Sequence, residues 1–523
     1  MAVWQLADLT LHVISLDCST CERIVSPTRA DTRPASPDLH ARTPAMSDKY
    51  APAEGAPKHQ RRMSLVTETM ARGVVEGTAF PPAAKCPDFP LATFFYLDAA
   101  PSDEDLLATM RKIVAFDRLK SRVVGAKKKH QYRWEEIPDI EKTLMSHVTR
   151  KEVSSEAELR AEMDAALVAP LAVEKPLWDV IVLTLKPGAT WTPSKGGPVA
   201  PPPVVCVRVS HAVGDGLSLV NVLTRLTDGD ASLLDFKRRP SGGGKTSAIQ
   251  YLTSPSKLWA LLVWLFNCVV AVLSAIGTPV GRRDSHTAFY DAKAPVAYSG
   301  KRRMVTCEGF KLADLKVAKQ KFGCTVNDVV CACLAGALHQ YDLEKNDAPK
   351  TTPLTRAAIA VPFLDGRPND EAHLCNRWTF VSLPLATGSK TIVERLRVTK
   401  RRCDLMKTTP AAHAVSALNV VAAATLGPKF QSQTVYDFMS KHSMVFTNVP
   451  GPTKPVTLFR GKAVRSMTFA VSNLVNQVSV MSYAGEMGFS LVVDPDATPD
   501  AHLVGEYFAR ELETLIASPE TTL

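Results

Sequence analysis

Val204-Val205-Cys206-Val207-Arg208-Val209-Ser210-His211-Ala212-Val213-Gly214-Asp215-Gly216 decides the reading of this 523-residue chain. Apart from Arg208, its first six residues are apolar and mostly β-branched, the composition of a buried strand. A histidine then stands where the strand ends, a Gly-Asp-Gly loop follows, and Leu217 to Leu226 continues with helical spacing. Gly214 and Gly216 are expected to permit the tight backbone. Imidazole titrates near neutrality, so a histidine aimed from such a loop can take a proton from a hydroxyl and return it in the next step. A capping or core histidine beside a turn has the same local sequence, and H-x-x-x-D alone leaves both readings open.

Composition sets wider bounds. Hydrophobic residues make up 46% of the chain and charged residues 22%, sufficient for a substantial core. The length predicts more than one domain, or two large halves. Lys and Arg number 62 against 52 Asp and Glu, giving a net charge of +10. The excess lies in dispersed clusters at 127–129, 237–239, 282–283, 301–303 and 400–402. No finger, basic zipper or aromatic-interleaved RNA motif accompanies them, so no nucleic-acid partner is expected. Anionic lipid headgroups or a phosphorylated cofactor suit such scattered charge.

The 11 cysteines sit mostly in apolar contexts such as Cys268, Cys331 and Cys333, the usage of a reduced intracellular protein. Cys18 and Cys21 have C-x-x-C spacing without a second pair, so no metal site is expected. Residues 1–88 read as a poorly ordered or targeting extension. Met1 to Leu16 is apolar but lacks a basic n-region and a small-residue cleavage site, and Pro, Ala, Ser and Arg dominate from about 22 to 90. Within this stretch, Arg61-Arg62-Met63-Ser64 has the spacing of a kinase site.

Regular structure is expected from near Phe89, with a strand at 92–97, helices at 102–116 and 154–171, and a strand at 177–183. A Pro/Gly-rich loop at 187–203 precedes the opening stretch. Residues 89–245 thus form a first half. Ser241 to Thr246 fails as a phosphate loop, because Arg239 stands where the first glycine belongs, and reads as a linker. Residues 246–298 connect the halves and carry Leu258 to Ile276, nineteen residues without a charge. That run is long enough for a bilayer core of ~30 Å. The second half, 299–523, reads as helices at 311–322, 325–338, from 392 and from 414, strands at 357–363, 378–385, 443–448, 464–471, 477–483 and 488–493, and a closing helix at 500–517. Such mixing without strict alternation predicts an α/β (α+β) fold of two halves.

Four further motifs accompany the histidine: Pro176-Leu177-Trp178 upstream, Asn327-Asp328 at a helix start, Asn448-Val449-Pro450-Gly451-Pro452 leaving a strand, and Ser482 to Gly485 leading to Asp494-Pro495. Singly, Trp178 reads as core, Asn327 as a helix cap and 448–452 as a rigid turn. Together and in this order they resemble the wax ester synthase/diacylglycerol acyltransferase family, over roughly residues 90 to 520. The family's hallmark is H-H-x-x-x-D-G; here Ser210 replaces the first histidine, which puts robust activity in question more than the reaction class.

That resemblance implies a two-half chloramphenicol-acetyltransferase-like fold with the active site in a tunnel between the halves. It implies an O-acyltransferase that joins a long-chain acyl-CoA to a fatty alcohol or diacylglycerol, with acyl-CoA as co-substrate and no cofactor. His211 matches the catalytic base. Asp215 is expected to be a structural carboxylate paired to an arginine, and Asn327 is the candidate oxyanion donor. A catalytically weakened lipid-binding homologue, or an enzyme for another alcohol acceptor, are the alternatives. Because His211 and Asn327 flank the apolar run yet belong to one site, 258–276 is expected to be interfacial, re-entrant or packed on the protein rather than a simple span. A membrane or lipid-droplet surface is the expected partner, with an intracellular location at the endoplasmic reticulum or a lipid droplet, or in a plastid.

Overall fold

Two runs of β-branched and aromatic residues, Leu91–Leu97 (β2) and Val204–Val209 (β7), pair antiparallel at the centre of a six-stranded sheet. The computed structural model describes residues 60–76, 90–125, 132–190, 202–229, 255–296, 299–363 and 374–519. The apolar amino terminus, Cys18–Cys21, the linker at 241–246, the basic clusters at 127–129 and 237–239 and most of the 187–203 loop lie outside the described residues.

In chain order the first elements are β1 (Gln60–Arg62), α1 (Leu65–Glu76), β2, α2 (Asp103–Ile113), β3 (Ser121–Val124), β4 (Arg133–Glu136), β5 (Val148–Ser155), α3 (Glu156–Val168), β6 (Trp178–Thr190), β7 and α4 (Gly216–Leu226). Then come α5 (Pro255–Gly277), β8 (Arg303–Lys311), α6 (Leu312–Lys321), α7 (Val326–Lys345), β9 (Arg356–Pro362), β10 (Trp378–Pro384), α8 (Ile392–Thr408), α9 (Ala411–Thr425) and α10 (Gly427–Met439). β11 (Met444–Pro450), β12 (Thr457–Leu458), β13 (Lys462–Val471), β14 (Asn476–Tyr483), β15 (Glu486–Val493) and α11 (His502–Ala517) complete the described chain. The first sheet runs β12-β13-β2-β7-β6-β5, the second β10-β9-β11-β14-β15-β8, and a small third one β1-β4-β3. Helix α7 is buried along most of its length against α11 and α8, forming the core behind the second sheet.

The extension expected to be poorly ordered over 1–88 contains β1 and α1. Met63 and Ala71 are buried in the first core, and Met70, Val74 and Val75 pack on it, an amphipathic helix too short to stand out of a Pro- and Ala-rich background. The helix expected over 154–171 is observed as Glu156–Val168, because Ser154 and Ser155 still belong to β5, which pairs with β6, and Ser155 caps α3. Strand β8 and helix α10 were not anticipated.

The two halves are not contiguous in sequence either. β13 lies within 299–523, yet pairs antiparallel with β2 of the first sheet, from Val464↔Leu97 to Val471↔Leu91. Among the described residues no single helix is long and apolar enough to cross a membrane. Helix α5 packs on α9, and the Trp264 indole N–H donates to the Thr408 carbonyl at 3.0 Å.

Candidate active site

Strand β7 stops at Val209 because its neighbour β6 begins there, with Trp178 opposite Val209. The Pro176-Leu177-Trp178 segment fixes the exit. The backbone N–H of Ser210 donates to the Leu177 carbonyl at 3.0 Å, and the Trp178 indole donates to the Leu119 carbonyl at 2.7 Å. Trp178 stacks on His147 with ring centroids 4.2 Å apart. Trp178 is therefore core and buttress, as its residue type alone suggested. Beneath the loop, buried Arg208 grips Asp179 and the Ala166 and Ala169 carbonyls that close α3.

Ser210 is fully buried, and its hydroxyl accepts the Ala212 backbone N–H at 3.2 Å. The residue that departs from the hallmark thus serves the turn. His211 follows, half-buried, with its ring 5.7 Å from that of Trp378. Burial pushes its pKa down to about 4, and the Asp215 charge offsets only part of this, so the ring is neutral near pH 7.

Asp215 is the N-cap of α4, accepting the Ser218 backbone N–H at 3.0 Å. Its second oxygen accepts the backbone N–H of Arg377 at 2.9 Å, so an arginine does hold the carboxylate, here through its main chain. Gly214 leaves room for Ser218, whose Cβ would lie 3.0 Å from an added Cβ. Gly216 starts α4, and a Cβ there would meet Val449 at an ordinary 3.6 Å. Neither glycine has a positive φ, so close approach and helix initiation, not left-handed backbone, explain them.

The rest of the loop's support comes from residues the sequence reading passed over. Arg118 donates to the Val213 carbonyl at 3.0 Å; burial lowers its guanidinium to about 10, against the opposing influence of Cys375 and Asp215. Residues 374–378 of the second half run alongside: Asp215 N–H donates to Cys375 O at 3.1 Å, Ser218 Oγ to the same carbonyl at 2.9 Å, and Asn376 Nδ2 to His211 O at 2.9 Å. These partners are some 160 residues apart in sequence, so no local spacing announces them.

Asn327 and Asp328 start α7. Asp328 is buried and completes a reciprocal capping box with Thr325, which gives it a structural task. Asn327 is exposed, and its Oδ1 accepts from Asn448 Nδ2 at 2.5 Å. The two motifs therefore meet each other; no hydrogen bond or ring contact joins either to His211 among the described residues. Next to Asn448, Val449 packs towards Gly216, which brings the pair to the edge of the histidine loop. Pro450 ends β11, and a Cβ on Gly451 would lie 2.2 Å from the Ser482 carbonyl, so the chain turns there only with glycine.

A cavity of about 660 Å³ opens elsewhere, between Tyr290, Arg302, Tyr341 and Asp494. Ser443 lines it just before β11, while Val449 near the other end of β11 faces Gly216. Six residues of strand, about 20 Å, separate the cavity from the histidine loop.

The family model for the wax ester synthase/diacylglycerol acyltransferase catalytic domain matches residues 105–330, and that for the WS/DGAT C-terminal domain matches 374–516. Wax ester synthase/diacylglycerol acyltransferase 5 of Arabidopsis thaliana is 26% identical over 385 residues, covering 66% of this chain and 72% of that protein. Among solved structures, the wax ester synthase/diacylglycerol acyltransferase of Marinobacter aquaeolei VT8 superposes with a TM-score of 0.51 at 19% identity, covering 82% of this chain and 93% of that one. The first condensation domain of the calcium-dependent antibiotic synthetase gives 0.55 at 14% identity, covering 88% and 98%. The structural likenesses establish the shared two-half fold, and the two family models fall on either side of the His211 loop's contact with residues 374–378. On these matches the chain belongs to the wax ester synthase/diacylglycerol acyltransferase family and is an O-acyltransferase.

Proposed function

We propose that this chain transfers a long-chain acyl group from acyl-CoA to the hydroxyl of a fatty alcohol or diacylglycerol, with His211 as the general base. The observation that carries this reading is a half-buried, neutral imidazole on a loop gripped from both halves. His211 removes the hydroxyl proton as the alcohol oxygen attacks the thioester carbonyl. The imidazolium then protonates the departing CoA thiolate, restoring the neutral ring. No acyl-enzyme is required. Asp215, Gly214 and Gly216 place the loop and take no part in proton transfer.

The tetrahedral intermediate needs a donor for its oxyanion. Asn448 occupies the carbonyl of the Asn327 side chain, which leaves the Asn327 NH2 as the end offered to a substrate oxygen. Burial of Ser210 as a turn residue argues against reading the departure from H-H-x-x-x-D-G as a loss of function.

We also propose that the enzyme works on a membrane or lipid-droplet surface inside the cell, at the endoplasmic reticulum, a lipid droplet or a plastid membrane. Among the described residues, all but three of the exposed large apolar side chains lie on α5, the turn after it, α9, α10 and the residue joining these last two. On α5, Trp259, Leu262, Phe266, Val269, Leu273 and Ile276 recur at helical spacing along one exposed stripe, and exposed Arg282 and Arg283 follow. Fatty alcohols and diacylglycerols reside in such a surface, which makes attachment there useful.

The test is acyl transfer by purified protein from labelled palmitoyl-CoA, offering hexadecanol and diolein separately, beside His211→Ala. Ester formation by wild type and its loss in His211→Ala are expected; undiminished product from the variant removes the general-base role.

A further inference from the structure

Among the buried polar atoms of the loop region without a hydrogen-bond partner are Nδ1 of His211 and Oδ1 of Asn376, beside the indole N–H of Trp378. The first two belong to residues already joined. Asn376 Nδ2 donates to the His211 carbonyl at 2.9 Å and lies 3.3 Å from the Ala212 carbonyl. Because both acceptors are carbonyls, the orientation of the carboxamide is settled: its NH2 faces the loop and its oxygen is left over.

An imidazole that receives a proton on Nε2 must carry its resident hydrogen on Nδ1, and a buried Nδ1–H needs an acceptor. The neighbouring acceptors already have donors, whereas Asn376 Oδ1 has none. Asp215 accepts from Ser218 and Arg377, and the His211 carbonyl accepts from Asn376 itself. Among the described residues the charged groups beside the loop include Asp215, Arg118 and Arg377, and none of them is bonded to Nδ1.

We propose that Asn376 is a positioning residue for His211: its NH2 clamps the loop carbonyls while its Oδ1 accepts the Nδ1–H, keeping Nε2 bare for the incoming proton. The second bond closes by rotation of the ring or the carboxamide as substrate fills the site. Proton transfer to Nε2 makes the ring cationic, and a hydrogen bond from a charged donor is the stronger one. The interaction therefore tightens as the transition state forms, and its removal falls on kcat more than on KM. This assignment rests on His211 being the base.

The experiment uses the full chain as wild type, Asn376→Ala, Asn376→Asp and His211→Ala, with palmitoyl-CoA and hexadecanol over a pH series. Asn376→Ala is expected to lower kcat by about 10–100-fold with KM little changed, and to move the acid limb of the rate profile to lower pH. Asn376→Asp sets a carboxylate against the ring and is expected to move that limb upward by about one pH unit or more. A clamp acting only through the carbonyls would lower both variants alike with the limb unmoved, and that result overturns the proposal. Undiminished rate in His211→Ala is a different outcome, since it removes the base reading itself.

A readout independent of the variants' folding is the imidazole ¹⁵N spectrum of wild type, with the His211 signal identified by its absence in His211→Ala. Protonated Nδ1 and bare Nε2 are expected in the neutral ring. The opposite tautomer would leave Oδ1 to the unpartnered indole N–H of Trp378 and would overturn the proposal.

Discussion

The backbone N–H of Arg377 donates to Asp215 Oδ2 at 2.9 Å, so the carboxylate four residues beyond His211 is held by the other half of the chain. The same carboxylate caps α4. Asp215→Ala removes both bonds; loss of such a cap costs about 0.5–2 kcal/mol. Activity is expected to fall further than stability, because the loop loses its tie to residues 375–377. Asp215→Asn keeps a capping oxygen and should keep more of the melting temperature. Equal melting temperatures for wild type and Asp215→Ala would contradict the capping role.

Ser210→His restores the family hallmark yet is expected to be harmful. The position is fully buried, and the serine hydroxyl accepts the Ala212 N–H. Forcing a ring into packed space costs about 1–3 kcal/mol, so thermal melting should fall and acyl transfer with it. A variant with unchanged stability and a raised rate would show that the site has room for the second imidazole.

Gly451→Ala tests the turn after β11. Its new methyl would lie 2.2 Å from the Ser482 carbonyl, a backbone atom that cannot swing away. A loss of stability on the order of 1–3 kcal/mol is expected, read by chemical denaturation. The control is Gly461→Ala, where nothing lies within 4 Å of the added carbon; Gly461 has positive φ, so some strain remains there, but no clash.

Burial lowers four histidines, His147, His211, His339 and His442, and two of them tie stability to pH most strongly. Burial brings His211 to about 4, and burial, with Arg356 adding to it, brings His442 to about 3. Unfolded, each titrates near 6.5. Below that pH the unfolded chain binds protons that the native one refuses, so stability is lost as pH falls from about 6.5 towards 4 for His211 and towards 3 for His442. Melting temperature should decline over that window, and the decline should be shallower in His442→Gln if that variant folds. In activity, the acid limb set by His211 should lie near pH 4, provided the protein is still folded. A limb near 6.5 would show the ring to be solvated.

Replacing Trp259, Leu262 and Phe266 with serine removes part of the α5 stripe without touching the loop. Flotation with anionic phospholipid vesicles should weaken, while transfer to a soluble short-chain alcohol should persist. Unchanged flotation would place the lipid contact elsewhere.

What the sequence made legible was the local part. Strands with β-branched runs such as β7, the capping box at Thr325 and the core placement of Trp178 follow from spacing and residue type. The family followed from the order of short motifs. The supports of His211 stayed hidden because they are long-range: Arg118 meets the loop from about 95 residues upstream and Asn376 from 165 downstream. Nothing near Leu374-Cys375-Asn376-Arg377-Trp378 marks it as more than the lead into a strand. Helix α1 escaped for another reason, since its apolar face is complete only against the core it joins.

The pairing of β13 with β2 has a consequence for biosynthesis. While the chain emerges from the ribosome, β2 can find β7 after residue 209, but its other edge stays open until residue 471 is made. For the intervening synthesis an apolar strand edge lies uncovered, the condition that invites chaperones or aggregation. A fragment ending at residue 330 would contain His211 and lack both its clamp and a sheet neighbour. Catalytic competence in this protein therefore arrives late, when the far end of the polypeptide closes the near one.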